Sequence, residues 1–320
     1  MMRSLALSLV LLLPATAGWC GDNGWQSPVL GYLVTQDPLE LRPISGIPGA
    51  AVRGEPLPLP EGLTALRLAP GPRYALAERG DPIPPAVLLL DGGTPAVLPL
   101  EGVLTGAGLV AFSPSATSAA LYSARERRLQ VLAGLPSRPQ IVRDLPWNEP
   151  AALAVSDDAQ SLLASDASGT VSLLAADGGT QFLFRAREPG ALAFLPNRAD
   201  ALILDRDEVY LLGGLDGAVS SRLLASGLER PAELLAAAGG KSALVTDRDG
   251  LRVWWIDIAS ATLQAVDVPA GPLRLEPLRL ADAFLISAEP GEPAWLLVRG
   301  GAQMRSYFIP AAQAEGRDSQ

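Results

Sequence analysis

The 320-residue chain contains no histidine. Ser-His-Asp and Cys-His catalytic systems are therefore excluded, and with them the common histidine-ligated zinc sites. One cysteine, Cys20, cannot form an internal disulfide, so stability has to come from a buried core. One lysine, Lys241, lies in the turn Gly239-Gly240-Lys241, where exposure removes the burial that would depress its pKa for Schiff-base chemistry. Walker loops, cysteine-spaced metal sites and basic tracts are missing, and the glycine-bearing string Gly46–Ala50 lacks the spacing of a dinucleotide loop. Long apolar runs are scarce as well.

The longest apolar run, Ser4 to Leu13, follows Met1-Met2-Arg3 and precedes Ala15-Thr16-Ala17, the pattern of a cleaved export signal. At about ten residues it is half of what spans a bilayer, so residues 1–17 are expected to be removed after Ala17, and no transmembrane segment is expected in the mature chain. Trp19 beside Cys20 fits lipobox sequences poorly. Residues 18–27 are expected to form a flexible N-terminus, and the polar residues 313–320 a disordered tail. The localisation this implies is periplasmic or extracellular. Without Arg3, 24 basic face 34 acidic side chains, a net charge of about −10, which argues against nucleic acid or anionic lipid as a partner.

What is present is a repeat. LVAFSPSATSAALYS at 109–123 is an apolar strand, a polar turn and a second apolar strand. The same pattern returns at 152–166, 191–205 and 233–247, with an earlier copy at 65–78 and a degenerate one at 273–289. With Pro70, Pro114, Asp157, Pro196 and Ala237 taken as equivalent, the spacings are 44, 43, 39 and 41 residues. That is the length of one propeller blade. Asp-Gly and Ser-Gly pairs between runs of Val, Leu, Ile, Phe and Trp supply hairpin turns, giving four antiparallel strands per unit. The fold expected for 28–312 is an all-β propeller of seven four-stranded blades, with six as the alternative. The segment from Pro28 to Pro60 is either an irregular blade of its own or a source of strands that close the ring against the last unit.

The phrases VAFSPSATSAALYS and ALAFLPNRADALILD resemble the opening strands of bacterial exported WD-repeat-like and YVTN-type propellers, over roughly 65–290. The Gly-His and Trp-Asp signatures of WD repeats are missing. The resemblance implies a propeller fold and leaves activity open.

Candidate site residues come from the turn between second and third strands: Arg125, the pair Asp205 and Asp207, and the pair Asp247 and Asp249. In a propeller such turns share one face, which makes this the expected binding face. Their plainer role is to form hairpins. Trp254 and Trp255 are expected in the core, because both faces of a blade are covered. Trp147, in a polar link between units, is a candidate contact residue. No cofactor is expected; Asp247-x-Asp249-Gly250 resembles only the start of a calcium loop. The expected function is a non-catalytic binding or scaffolding module for a protein or other extracytoplasmic ligand. The alternative is a hydrolase or lyase using carboxylates in the channel, calcium-assisted or not.

Overall fold

In the repeat, the second strand is apolar along a continuous run rather than at alternate positions, so both of its faces must be covered. A ring of radially packed sheets does this. The computed structural model describes residues 27–91, 94–247, 252–268, 274–287, 293–301 and 303–310. It is an all-β, seven-bladed propeller, and no helix occurs among the described residues.

Blade 1 consists of β1 (Val29–Gln36), β2 (Leu39–Ser45) and β3 (Val52–Arg53); blade 2 of β4 (Ala65–Leu68), β5 (Tyr74–Glu78), β6 (Ala86–Leu89) and β7 (Ala96–Pro99). Blade 3 comprises β8 (Leu109–Phe112), β9 (Ser118–Ser123), β10 (Arg128–Ala133) and β11 (Gln140–Pro146), and blade 4 β12 (Ala152–Val155), β13 (Leu162–Ser165), β14 (Thr170–Leu174) and β15 (Thr180–Arg185). Blade 5 is β16 (Pro189–Phe194), β17 (Ala201–Asp205), β18 (Glu208–Gly213) and β19 (Ser220–Ala225); blade 6 is β20 (Pro231–Ala236), β21 (Ser242–Asp247), β22 (Arg252–Asp257) and β23 (Thr262–Asp267). Blade 7 is β24 (Arg274–Pro277), β25 (Ala283–Ser287), β26 (Ala294–Gly300) and β27 (Gln303–Ile309). Each sheet pairs its strands in chain order, antiparallel, from the channel outward.

Side chains on the second strands alternate between two neighbouring blades. On β17, Ala201 and Ile203 pack into blade 4, whereas Leu202 and Leu204 pack into blade 6. Seven such apolar layers, one at each blade junction, make up the core. Trp254 and Trp255 obey the same rule, facing the 5/6 and 6/7 layers respectively. Outer strands remain sheet edges, and on β11, β15 and β19 a register shift interrupts the ladder, which discourages edge-to-edge pairing.

The first-to-second-strand turns share one geometry. Ala69, Ser113, Ser156, Leu195, Ala237 and Leu278 each donate their N–H to the carbonyl that opens or just precedes the second strand. These bonds align Pro196 with Ala238, one residue beyond the Ala237 expected from the sequence.

The segment 28–60 forms a blade of its own, with strands that pair only with each other among the described residues. Its β1 corresponds to a second strand, not a first. Leu30 lies beside the turn of blade 7 and Gln36 beside Leu66 at the opposite face, so β1 runs against the inner strands; Val34-Thr35-Gln36 matches Val245-Thr246-Asp247 of β21. The described part of blade 1 thus contributes no inner strand. Across that position blades 7 and 2 meet directly, Gly71 N–H bonding Pro277 O at 3.3 Å, while Arg279 N–H ties blade 7 to blade 1 through Leu30 O at 2.8 Å. The Arg279 guanidinium then reaches Pro72 O (3.0 Å), pairs with Asp91 (2.8 Å) and stacks over the Tyr32 ring. Tyr32 in turn donates to Leu90 O. Gly31 is required here, because a Cβ would sit 2.3 Å from Cδ2 of the buried Leu278.

Arg279→Ala is expected to lower stability by about 2 kcal/mol in urea unfolding, because it removes a charged donor from buried carbonyls. Asp91→Asn, which removes only an exposed ion pair, should cost under about 1 kcal/mol. Equal costs would contradict this reading of the seam.

Candidate functional site

Turns between second and third strands, together with the links between blades, form one face of the ring; first-to-second-strand turns form the other. The central channel opens on the latter as a cavity of about 770 Å³. Its wall carries apolar side chains from the inner strands, among them Val110, Phe112, Leu153, Leu192 and Leu234. Arg73, Asp91 and Arg279 stand at its rim, and Asp91 is the one carboxylate among the described lining residues, already paired with Arg279. An acid–base pair needs two carboxylates converging on a shared space, and this wall does not provide them. Nor do three or more potential metal-ligating side chains cluster anywhere among the described residues.

On the opposite face, the sequence-predicted residues that the structure describes do not gather into one site. Asp205 and Asp247 end β17 and β21 and are buried, at 2% and 0% exposure. The Asp205 carboxylate accepts the backbone N–H groups of Arg187 (2.8 Å) and Glu188 (3.1 Å) and the Arg187 Nε (3.3 Å), so it anchors the link from blade 4 to blade 5. Arg187 also pairs with Asp207 at 3.9 Å and closely with Glu208. Asp249, and with it the calcium expectation, lies outside the described residues. Trp147, in the link between blades 3 and 4, is half-buried against the blade 3/4 layer, with its backbone N–H bonded to Arg127 O. Arg125 is exposed and pairs with Asp81 of the neighbouring blade.

Several hairpin aspartates are fixed by their own turns. Asp166 Oδ1 accepts the Ser168 hydroxyl and the N–H groups of Ser168 and Thr170; Gly169 closes this turn at φ +83°, where a Cβ would lie 2.3 Å from Ala186 O. The Ser168 hydroxyl, then the Thr170 N–H, hold Asp166 below the usual carboxylate range. Asp257 is lowered by the Ser260 N–H and then the Ser260 hydroxyl. For Asp158, burial pulls upward, but the Ser156 hydroxyl, the Gln160 N–H and Arg143 outweigh it and the net shift is downward.

Arg125 leads to a site that the sequence did not single out. Between blades 2 and 3, the turn 79–85 is seven residues long, where the equivalent turns of blades 3 and 4 have four. With the link 100–108 it walls a recess of about 110 Å³. Leu76, Val110 and Leu121 form the apolar interior; Arg67, Glu78, Arg79, Asp81 and Arg125 line the rest. Arg67 lies 3.6 Å from Glu78 and donates Nη2 to Ala107 O, while its buried Nε has no hydrogen-bond partner. Arg79 Nε bonds Pro84 O, and Thr105 donates to Asp81. The excess turn length at 79–85 was the available signal.

No protein-family description matches the chain, and neither does any curated protein. Among solved structures it is similar to a functionally unknown protein from Desulfotomaculum acetoxidans DSM 771, with 14% identity and a TM-score of 0.62 over 90% of this chain and 96% of that one. It is also similar to a chain of a nidogen/laminin complex, with 14% identity and a TM-score of 0.49 over 75% and 93% of the respective chains. The former likeness is one of fold alone.

Asp205→Ala should cost about 3 kcal/mol by stranding two backbone donors, and Asp205→Asn about 1 kcal/mol because one acceptor oxygen remains; equal losses in denaturant unfolding would contradict the anchor role. Carboxylates with lowered folded pKa values stabilise the fold above the unfolded value of 3.8, and that contribution is lost as pH falls through the folded values. With no histidine to titrate, stability should stay nearly level from pH 8 to 5 and decline below about pH 4. A steep change between pH 5 and 8 would contradict this.

Proposed function

We propose that the chain is an exported, non-catalytic binding module that holds a protein or another extracytoplasmic ligand on the face carrying the second-to-third-strand turns. The observation that carries this reading is the recess between blades 2 and 3: an apolar interior under a charged mouth, at the junction where a second-to-third-strand turn lengthens to seven residues. Recognition sites have this composition, with apolar area for affinity and a few placed charges for orientation. The lengths of these turns vary around the ring, from two residues in blade 5 to seven in blade 2, and the longest is the one that walls the recess. The export signal expected from residues 1–17 and the resemblance to exported bacterial WD-repeat-like propellers support an extracytoplasmic role. The acidic balance of the chain favours a protein or small-molecule partner over nucleic acid.

The binding reading is preferred to the channel-carboxylate alternative because the described lining of the channel cavity offers one carboxylate, Asp91, and it is paired with Arg279.

Affinity capture from an extracytoplasmic extract tests the reading with three forms of the mature chain: unaltered, Arg79→Glu with Arg125→Glu at the recess, and Arg73→Glu on the opposite face. The unaltered chain and Arg73→Glu should retain the same partner, and the recess variant should lose it at least tenfold. Retention by the recess variant, with loss in Arg73→Glu, would move the binding surface to the channel mouth and contradict the proposal.

A further inference from the structure

We infer that the recess between blades 2 and 3 recognises an apolar branched group carrying a carboxylate. The inference rests on the proposed binding role and names the chemistry that this site selects. Two properties of the site lead to it, one of shape and one of charge.

The recess measures about 110 Å³. An apolar protein cavity of roughly 150 Å³ accepts benzene, so this space suits a smaller group, about that of a leucine or valine side chain. Leu76, Val110 and Leu121 offer such a group apolar surroundings. Burying it there would be favourable by roughly 1.5–3 kcal/mol.

At the mouth, three guanidinium groups face two carboxylates. Asp81 Oδ2 is taken by Arg125 and Oδ1 by Thr105, while Glu78 faces Arg67. One positive charge is in surplus: Arg67 faces Glu78 through Nε and donates Nη2 to Ala107 O, Arg125 holds Asp81, and Arg79, whose Nε bonds Pro84 O, is left without a carboxylate among the lining residues. A ligand that brings acceptor oxygens and one negative charge balances the excess positive charge. A carboxylate does so with the planar geometry that a guanidinium matches. An amide or alcohol with the same apolar group satisfies the interior and leaves the charge uncompensated. The same chemistry occurs at the C-terminal residue of a peptide and in a free branched-chain carboxylic acid.

Three probes separate these cases when titrated into the mature chain by calorimetry: N-acetyl-leucine, N-acetyl-leucinamide and 4-methylpentanoate. The two acids should bind, with the amide at least tenfold weaker. Arg79→Gln, at a partly exposed position, should weaken acid binding at least tenfold, and Arg73→Gln on the opposite face should leave it unchanged. Tighter binding of N-acetyl-leucine identifies a peptide C-terminus as the source; tighter binding of 4-methylpentanoate identifies a free acid. Equal binding of acid and amide, no binding of any probe, or indifference to Arg79→Gln would overturn the inference. A captured partner that is lost on altering the recess, together with probes that do not bind, would leave the binding role standing while this chemistry fails. Indifference of the partner to the recess variant would overturn the placement of binding at the recess, and this inference with it.

Discussion

The second strand of each blade must bury both of its faces, and the rest of the ring depends on that constraint. A Leu on one face of β17 is covered by blade 6 and the Ile next to it by blade 4. No blade can therefore satisfy its own core, and seven apolar layers do the work that disulfides do in smaller secreted domains. Burying a Leu of this kind contributes roughly 2 kcal/mol, so the layers together dominate over any polar contact on the faces. The price is that the ring has to close: a missing neighbour would expose two faces at once.

Closure happens at blade 1 without a seventh inner strand among the described residues. The Gly71–Pro277 bond and the Arg279 side chain bring blades 2 and 7 together across the edge of β1. Leu30, Leu33 and Ile44 fill the layer toward blade 7, and Tyr32 and Leu41 the layer toward blade 2. The seam therefore combines apolar packing with a buried polar clasp.

The fold was legible in the sequence because the repeat is carried by burial, which leaves a periodic apolar signature from 65 to 290. The blade at 28–60 was legible only in part: its strands were visible, but assigning β1 as a second strand required the bonds of Leu30 and Gln36. Turn chemistry was partly hidden. Ala116 and Ala159 occupy left-handed backbone (φ 60° and 58°) in the first-to-second-strand turns, a role composition assigns to glycine. The aspartates were visible as residues but not as functions. Asp205 is an internal anchor and Asp166 a turn-former, and only three-dimensional neighbours distinguish these from surface charges. Arg125 was picked for its turn and does lie at a recess, whose other members, Arg67, Glu78 and Asp81, come from strands and a turn with no shared motif. The depth of Trp147 was unreadable because a polar link in sequence folds back onto the blade 3/4 layer.

Hydrogen exchange at the seam amides tests ring closure most directly. Gly71 N–H, bonded to Pro277 O, and Arg279 N–H, bonded to Leu30 O, should exchange as slowly as amides in the middle of β17, through global opening alone. Exchange at these two positions near the rate of an exposed loop, with β17 still protected, would show that blade 7 does not meet blades 2 and 1 there and would contradict a ring closed by this clasp.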